Sequence, residues 1–355
     1  MDKPAQVPTI YDVAREAGVA RATVDRVIYN RGGVSEKTVR RVREVIEKLG
    51  YTANPIASRL ASKKKLTISC LIPHFEPGEY WAVAYNGFIE GVKSAKNYDI
   101  TLDMHLFDPN DIRSFEAESH KILALKPAGV ITNVVFADAI KAFAAELDVA
   151  RIPYAFVDQK IDGLGYKVYF GADPHEAGAL GAFLLTHRME VKELAMVRLI
   201  RDPRQQADPN RVRREGFLGY VKAHFPDCKV HTVFIHPDNP EETCRILEDF
   251  FAAHPGVKHI TMANSRIHLL APYLRKHPDA ERHVVGFDDL EKNIEVLREG
   301  LVEYLVTRNI PMQSYFTITR LAEAIVGNSA LVKRDNFMHM DILHRLNCKD
   351  YEFKA

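Results

Sequence analysis

The chain is poor in the features that anchor a protein in a membrane or staple it covalently. Its four cysteines, Cys70, Cys228, Cys244 and Cys348, lie far apart and form no CxxC, so neither a disulfide framework nor a cysteine zinc site has support. No apolar run approaches the roughly 18 residues that a membrane span needs. The first fifteen residues are polar and lack the apolar stretch of a secretory signal, so the expected location is the cytoplasm. Motifs for catalysis are missing as well. GNSAL at 327–331 lacks the closing glycine of a GxSxG elbow. No P-loop is present, and the glycines of GADPHEAGALG have the wrong spacing for a dinucleotide turn. Fifteen histidines include no HExxH, and AAHPGVKH reads as a helix end and loop rather than a metal site. These absences argue against an enzyme, and no cofactor or metal is expected. Solenoid repeats and low-complexity segments are also lacking.

What is present divides by charge. The 355 residues, 46% hydrophobic, are enough for two or three domains. A net charge of +1 hides an asymmetry: residues 1–65 carry 14 Lys or Arg against 7 Asp or Glu, and the remainder 34 against 40. A small basic module ahead of a near-neutral body is the pattern of a chain that meets a polyanion at one end.

That basic end reads as helices. Thr9 can cap a helix with Val13, Ala14 and Ala17 on one face, and Gly18 supplies the permissive backbone of a tight turn. A second helix starts near Ala20, with Val24 and Val27 inward and Arg21, Ala22, Asp25 and Arg26 outward. A third, capped by Ser35, carries Val39, Val42, Val45, Ile46 and Leu49 at helical spacing. Helix, glycine turn, helix is how a recognition helix is offered to the DNA major groove. In ANPIASRLASKKK, residues 53–65, Asn54 can cap and Pro55 suits a first helical turn. This linker is too short to be a stable helix alone and is expected to fold when bound.

From Leu66 onward strands alternate with helices: LTISCLI, ITLDMHLF, AGVITNVVF and IPYAFVD, then VYFGAD, LAMVRLI, KVHTVFIH, HITMAN and HVVGFD. Buried strands alternating with amphipathic helices mean doubly wound parallel sheets. Two such series imply two α/β lobes, with ligands bound beyond the carboxyl ends of the strands.

At TIYDVAREAGVARATVDRV and VSEKTVRRVREVIEKLGYTANPIASRLASKK the sequence resembles the LacI/GalR family of bacterial transcription regulators, and the body is similar to a periplasmic sugar-binding protein. The resemblance implies a helix-turn-helix domain over 1–52 and a hinge helix and linker over 53–65. The effector-binding and dimerisation domain would follow over 66–355, with lobe 1 about 66–171 and 310–335 and lobe 2 about 172–309 and 336–355. It further implies a homodimer on an imperfectly palindromic operator, acting as a repressor under a small-molecule effector. Arg21, Ala22 and Arg26 would reach base edges, arginine because its fork can serve both O6 and N7 of guanine. Thr9, Tyr11, Thr23, Asn30 and Arg31 would contact phosphates. Leu60, flanked by Ala57, would wedge into the minor groove. Asp25 stands where relatives carry a small hydroxyl residue. It could pair with Arg21, accept from cytosine N4, or simply weaken binding.

For the effector, the resemblance and the strand ends together suggest Tyr80 and Trp81, which could stack on a sugar face, and Asn133, Asp158, Gln159 and Asp173 from the first lobe. Arg211, Asn264, Asp288 and Asn309 are the counterparts in the second. Relatives often have Asn-Asp where this chain has Asn264-Ser265 followed by Arg266, a change that could favour a sugar acid over a neutral sugar. The alternative reading is a solute-binding protein for a sugar or sugar acid without a DNA role.

Overall fold

The computed structural model describes residues 8–28, 32–51, 65–187, 190–200, 208, 210–327 and 332–348. The chain forms two compact units, Met1–Lys63 and Lys64–Ala355.

In the first unit three helices, α1 (Ile10–Ala17), α2 (Arg21–Ile28) and α3 (Glu36–Leu49), enclose Val13, Ala14, Ala17, Val24, Val27 and Val42. Local signals account for the boundaries. Thr9 and Asp12 form a reciprocal capping box, the Thr9 hydroxyl accepting from the Asp12 N–H at 3.4 Å and the Asp12 carboxylate from the Thr9 N–H at 2.9 Å. Gly18 ends α1 at φ 64°, a left-handed conformation in which a Cβ would be strained. Ser35 caps α3.

Among its described residues the second unit contains two six-stranded sheets. Its first lobe contains β1 (Leu66–Pro73), α4 (Tyr80–Ser94), β2 (Ile100–Phe107), α5 (Ile112–Leu125), β3 (Gly129–Thr132), α6 (Ala137–Ala150), β4 (Tyr154–Val157) and β5 (Val168–Gly171). The second follows with α7 (Pro174–Thr186), β6 (Glu193–Leu199), α8 (Arg211–His224), β7 (Lys229–Ile235), α9 (Pro240–Ala253), β8 (His259–Thr261), α10 (Ala271–Lys276), β9 (His283–Phe287), α11 (Glu291–Arg298) and β10 (Tyr304–Thr307). The chain then returns through α12 (Ile310–Val326) and β11 (Asp335–Phe337) to the first lobe, and ends in β12 (Asp341–Leu343) on the second. Strand orders are β11-β5-β4-β3-β1-β2 and β12-β10-β9-β8-β6-β7. Pairing is parallel except for β12 against β10. Because β11 pairs with β5 through Phe337, the last crossover lies beyond that residue.

β3, β4 and β5 are buried along their whole length, which is why they read as mostly apolar runs rather than alternating ones. Within the second lobe α7 and α8 touch backbone to backbone. A Cβ on Gly178 would strike the Arg213 backbone, and one on Gly216 the His175 backbone. That approach fixes how α8 presents its buried face.

Candidate DNA interface and ligand cleft

On the first unit, α2 turns Ala22 and Arg26 to the solvent, while Thr23, Asp25 and Arg21 are half-buried. Arg21 leans on Tyr11 of α1: its guanidinium lies 5.5 Å from the ring centroid and donates to the phenol oxygen at 3.3 Å. Asp25 therefore does not hold Arg21. One of its carboxylate oxygens, Oδ1, is enclosed with no hydrogen-bond partner among the described residues, and the pairing expected as one alternative is absent. The reason is geometric, since helix packing offers Arg21 an aromatic ring from α1 before it can fold back along its own helix. Thr9 spends its hydroxyl inside the capping box, donating to Asp12 at 2.7 Å. Asn30, Arg31, Ala57 and Leu60 lie outside the described residues.

On the second unit the strand ends converge. Asp158 follows β4 and Asp288 follows β9, the same place in the two sheet orders, and both adopt left-handed backbone, φ 68° and 64°. Arg308, the first residue after β10, connects them. Its Nε and Nη2 donate to the two Asp288 oxygens at 3.0 and 3.2 Å, and its Nη1 donates across the cleft to Asp158 at 2.6 Å. The Tyr80 hydroxyl, at the start of α4, donates to the same Asp158 oxygen at 2.8 Å, and its ring lies 5.3 Å from the guanidinium. Arg308, Asp288 and Asp158 are buried, at 3%, 0% and 8% exposed, and Tyr80 is half-buried beside them.

Around this centre Arg213 donates to Asp288 at 3.4 Å and to the Ala263 carbonyl at 3.2 Å, stacked over Phe287, and Ser265 donates to Asp288 at 2.5 Å. Asn293 ties the loops together by donating to the carbonyls of Ser265, Phe287 and Asp288. Burial pushes the Asp288 carboxyl up, but Arg308 and Arg213 outweigh it and bring it down to about 2. Burial pushes the Tyr80 phenol well above its ordinary range. A second pair crosses the cleft nearer its rim, Arg266 to Glu79 at 2.6 Å.

The structure therefore brings together Tyr80, Asp158 and Asp288 and adds Arg308 and Arg213, which sequence reading missed. Arg211 is corrected: it stands exposed and pairs with Glu215 at 2.8 Å, one turn along its own helix. The signal was available, because Arg213 precedes Gly216 and Phe217 by three and four residues on the buried face of α8. Asp173 is corrected too. Its carboxylate caps α7, accepting from the N–H groups of His175 and Glu176 at 2.8 and 3.1 Å. Asn264 accepts from the Arg266 N–H at 2.8 Å, a turn contact. Trp81 packs edge-on to Tyr80 and against the first-lobe core. Asn309 opens α12 at φ 49°, and Gln159 is half-buried. Asn133 is buried after β3, its side-chain oxygen without a partner among the described residues.

Residues 68–329 match the periplasmic binding protein domain, and residues 9–54 match the bacterial regulatory proteins of the lacI family. The chain belongs to the periplasmic binding protein domain family over its body and carries a lacI-family segment at its amino-terminal end. It is 44% identical over 94 residues to catabolite control protein A of Streptococcus mutans, a match spanning 26% of this chain and 28% of that protein. The chain thus spans little more than a quarter of the length of that curated relative. The crystal structure of a regulator from Bacteroides fragilis, described as LacI-type, superposes with a TM-score of 0.75 at 29% identity, over 81% of this chain and 100% of that one. A carbohydrate transporter solute-binding protein from Agrobacterium radiobacter, in complex with D-arabinose, shares the fold with a TM-score of 0.66 at 18% identity, over 81% and 97%. Among the described residues no helix is long and apolar enough to cross a membrane.

Proposed function

We propose that this protein is a cytoplasmic, sequence-specific DNA-binding regulator and not an enzyme. It acts as a repressor, as a homodimer on an imperfectly palindromic operator, and a small polyhydroxylated ligand taken between its lobes sets its operator affinity. The observation that carries the ligand half is the convergence of Asp158 and Asp288, from matching strand ends of facing lobes, on Arg308. Groups of this kind offer both acceptors and donors to hydroxyls, and each hydrogen bond a sugar makes there replaces one that a buried group would otherwise lose.

Charge favours a neutral sugar over a sugar acid. Arg308 and Arg213 face Asp158 and Asp288, and Arg266, the residue that suggested an acidic ligand, is matched by Glu79. A carboxylate entering this set would meet two carboxylates with no cation to spare among the described residues. Exposed Arg26 and Ala22 on α2, with Arg21 braced by Tyr11, support base reading by that helix. Asn30 and Arg31, and the wedge of Leu60 beside Ala57, complete the proposed interface by family resemblance.

The test is operator selection from random DNA with the full chain, followed by a thermal-shift screen of neutral sugars and uronic acids. A palindromic consensus whose binding changes with a neutral sugar supports the reading. A protein that selects no sequence, yet is stabilised by a sugar, overturns the regulator in favour of a solute-binding role.

A further inference from the structure

The end of the second lobe away from the cleft carries a group of side chains that the cleft does not use. Glu193 opens β6. The parallel register pairs Ala195 with His231 of β7, so Glu193 and His231 share a face two positions apart. Onto that face comes His254, which terminates α9. The His231 Nε2 lies 2.8 Å from a Glu193 oxygen, the two imidazole centroids are 4.4 Å apart, and one ligand atom from each of the three residues falls within 4.8 Å of the others. Three separate elements thus deliver two imidazoles and a carboxylate to one point. AAHPGVKH does form a helix end and loop, as its sequence reads, but tertiary packing sets its first histidine beside the other two groups.

The surroundings fit a built site. Phe250 of α9 packs on both imidazoles, with centroids 4.8 and 5.7 Å away, shielding one side from water. Gly256, two residues after His254, leaves room where a Cβ would collide with the Glu193 carboxylate. The His231 side chain is 9% exposed and that of Glu193 30%, enough for an ion to enter.

We propose that Glu193, His231 and His254 bind a zinc-class divalent cation, which clasps the first two strands of the second lobe to the end of α9. Donors around a tetrahedral ion with bonds of about 2.0–2.1 Å stand roughly 3.3 Å apart. One separation here is 2.8 Å and all lie within 4.8 Å, a difference that side-chain rotation can take up. Two imidazoles select a borderline ion such as Zn²⁺ over Ca²⁺ or Mg²⁺, which demand oxygen ligands. With three protein ligands, a fourth position stays open to water. Site and cleft lie at opposite ends of the sheet, so the assignment stands independently of the proposed effector.

The experiment uses untagged full-length protein equilibrated with Zn²⁺, with metal content measured by mass spectrometry and affinity by competition with a chelating dye. We expect one ion per chain. His231→Ala and His254→Gln should each weaken binding more than about 100-fold, a larger loss than removing a group that only orients a ligand causes. His339→Ala, at an exposed histidine elsewhere, should leave binding unchanged. X-ray absorption on the zinc-loaded wild type should report nitrogen and oxygen donors alone. No stoichiometric uptake, unaltered affinity in both histidine variants, or sulfur donors in the absorption spectrum would each overturn the site. The absorption measurement keeps the test decisive even if a variant fails to fold.

Discussion

Arg308 and Asp158, 150 positions apart in sequence, meet across the interlobe cleft at 2.6 Å, and the same guanidinium grips Asp288 on its own lobe with two further hydrogen bonds. A buried cation thus holds two carboxylates that would otherwise repel each other. Its removal leaves uncompensated charge on carboxylates that are 0% and 8% exposed, and that penalty exceeds the net worth of the pair.

We therefore expect Arg308→Met to destabilise the second unit by about 3–5 kcal/mol, the usual cost of orphaning a buried charge, as read by chemical denaturation. Adding Asp158→Asn should recover part of the loss. A cost below about 1 kcal/mol, the range of exposed pairs, would mean that the network is not closed in solution.

Arg213 and Arg211 offer a paired comparison two residues apart. Arg213→Ala removes a buried partner of Asp288 and should cost several kcal/mol by the same mechanism, about 2–4. Arg211→Ala, at an exposed helical pair, should stay within about 0.5 kcal/mol. Similar losses for the two, by thermal or denaturant unfolding, would contradict the assignment of the buried face of α8.

On α2 the expectation concerns specificity. Arg26→Ala should relax preference at one base pair of the selected operator by about 1–3 kcal/mol, whereas loss of a phosphate contact weakens all sequences alike. Asp25→Ser separates the two readings that survive for Asp25. Uniformly tighter binding means that the carboxylate only repels the DNA backbone, and relaxed preference at a single pair means that it reads a base. Fluorescence anisotropy against a panel of singly substituted operators distinguishes these results.

Acid should weaken the second lobe in a defined window. Burial, with His283 stacked at 5.0 Å, lowers the His259 imidazole to about 4 from an ordinary value near 6.5. The unfolded chain takes up a proton below about 6.5 that the folded lobe refuses until about 4, so stability is intact above the first value and falls as pH drops toward the second. His259→Phe should flatten that part of the stability-against-pH curve. An unchanged slope between these values would show that another group governs it.

Much of this was readable from local chemistry. Caps at Thr9 and Ser35, glycine at position 18, the inward stripes of α1 to α3 and the unbroken apolar strands are short-range signals, and each is decided by neighbours within a turn or a strand. They suffice for a three-helix module and two parallel sheets. Asp158 and Asp288 were legible for the same reason, because each is the first residue after a buried strand.

What the sequence could not determine by itself were relations between residues distant along the chain. The spacing of Arg213 to Gly216 and Phe217 marks its face of α8 as inward, but its meeting with Asp288 depends on the glycine contact between α7 and α8. Arg308 is likewise the first residue after its strand, β10, but that position does not say that its guanidinium reaches Asp158 on the other lobe. Arg21 finds Tyr11 before Asp25 because a neighbouring helix supplies the ring. His254 meets His231 and Glu193 only because α9 ends over the start of β6. In each case the deciding quantity is the direction of a side chain relative to an element elsewhere in the chain, and only close packing of the whole fold sets that direction.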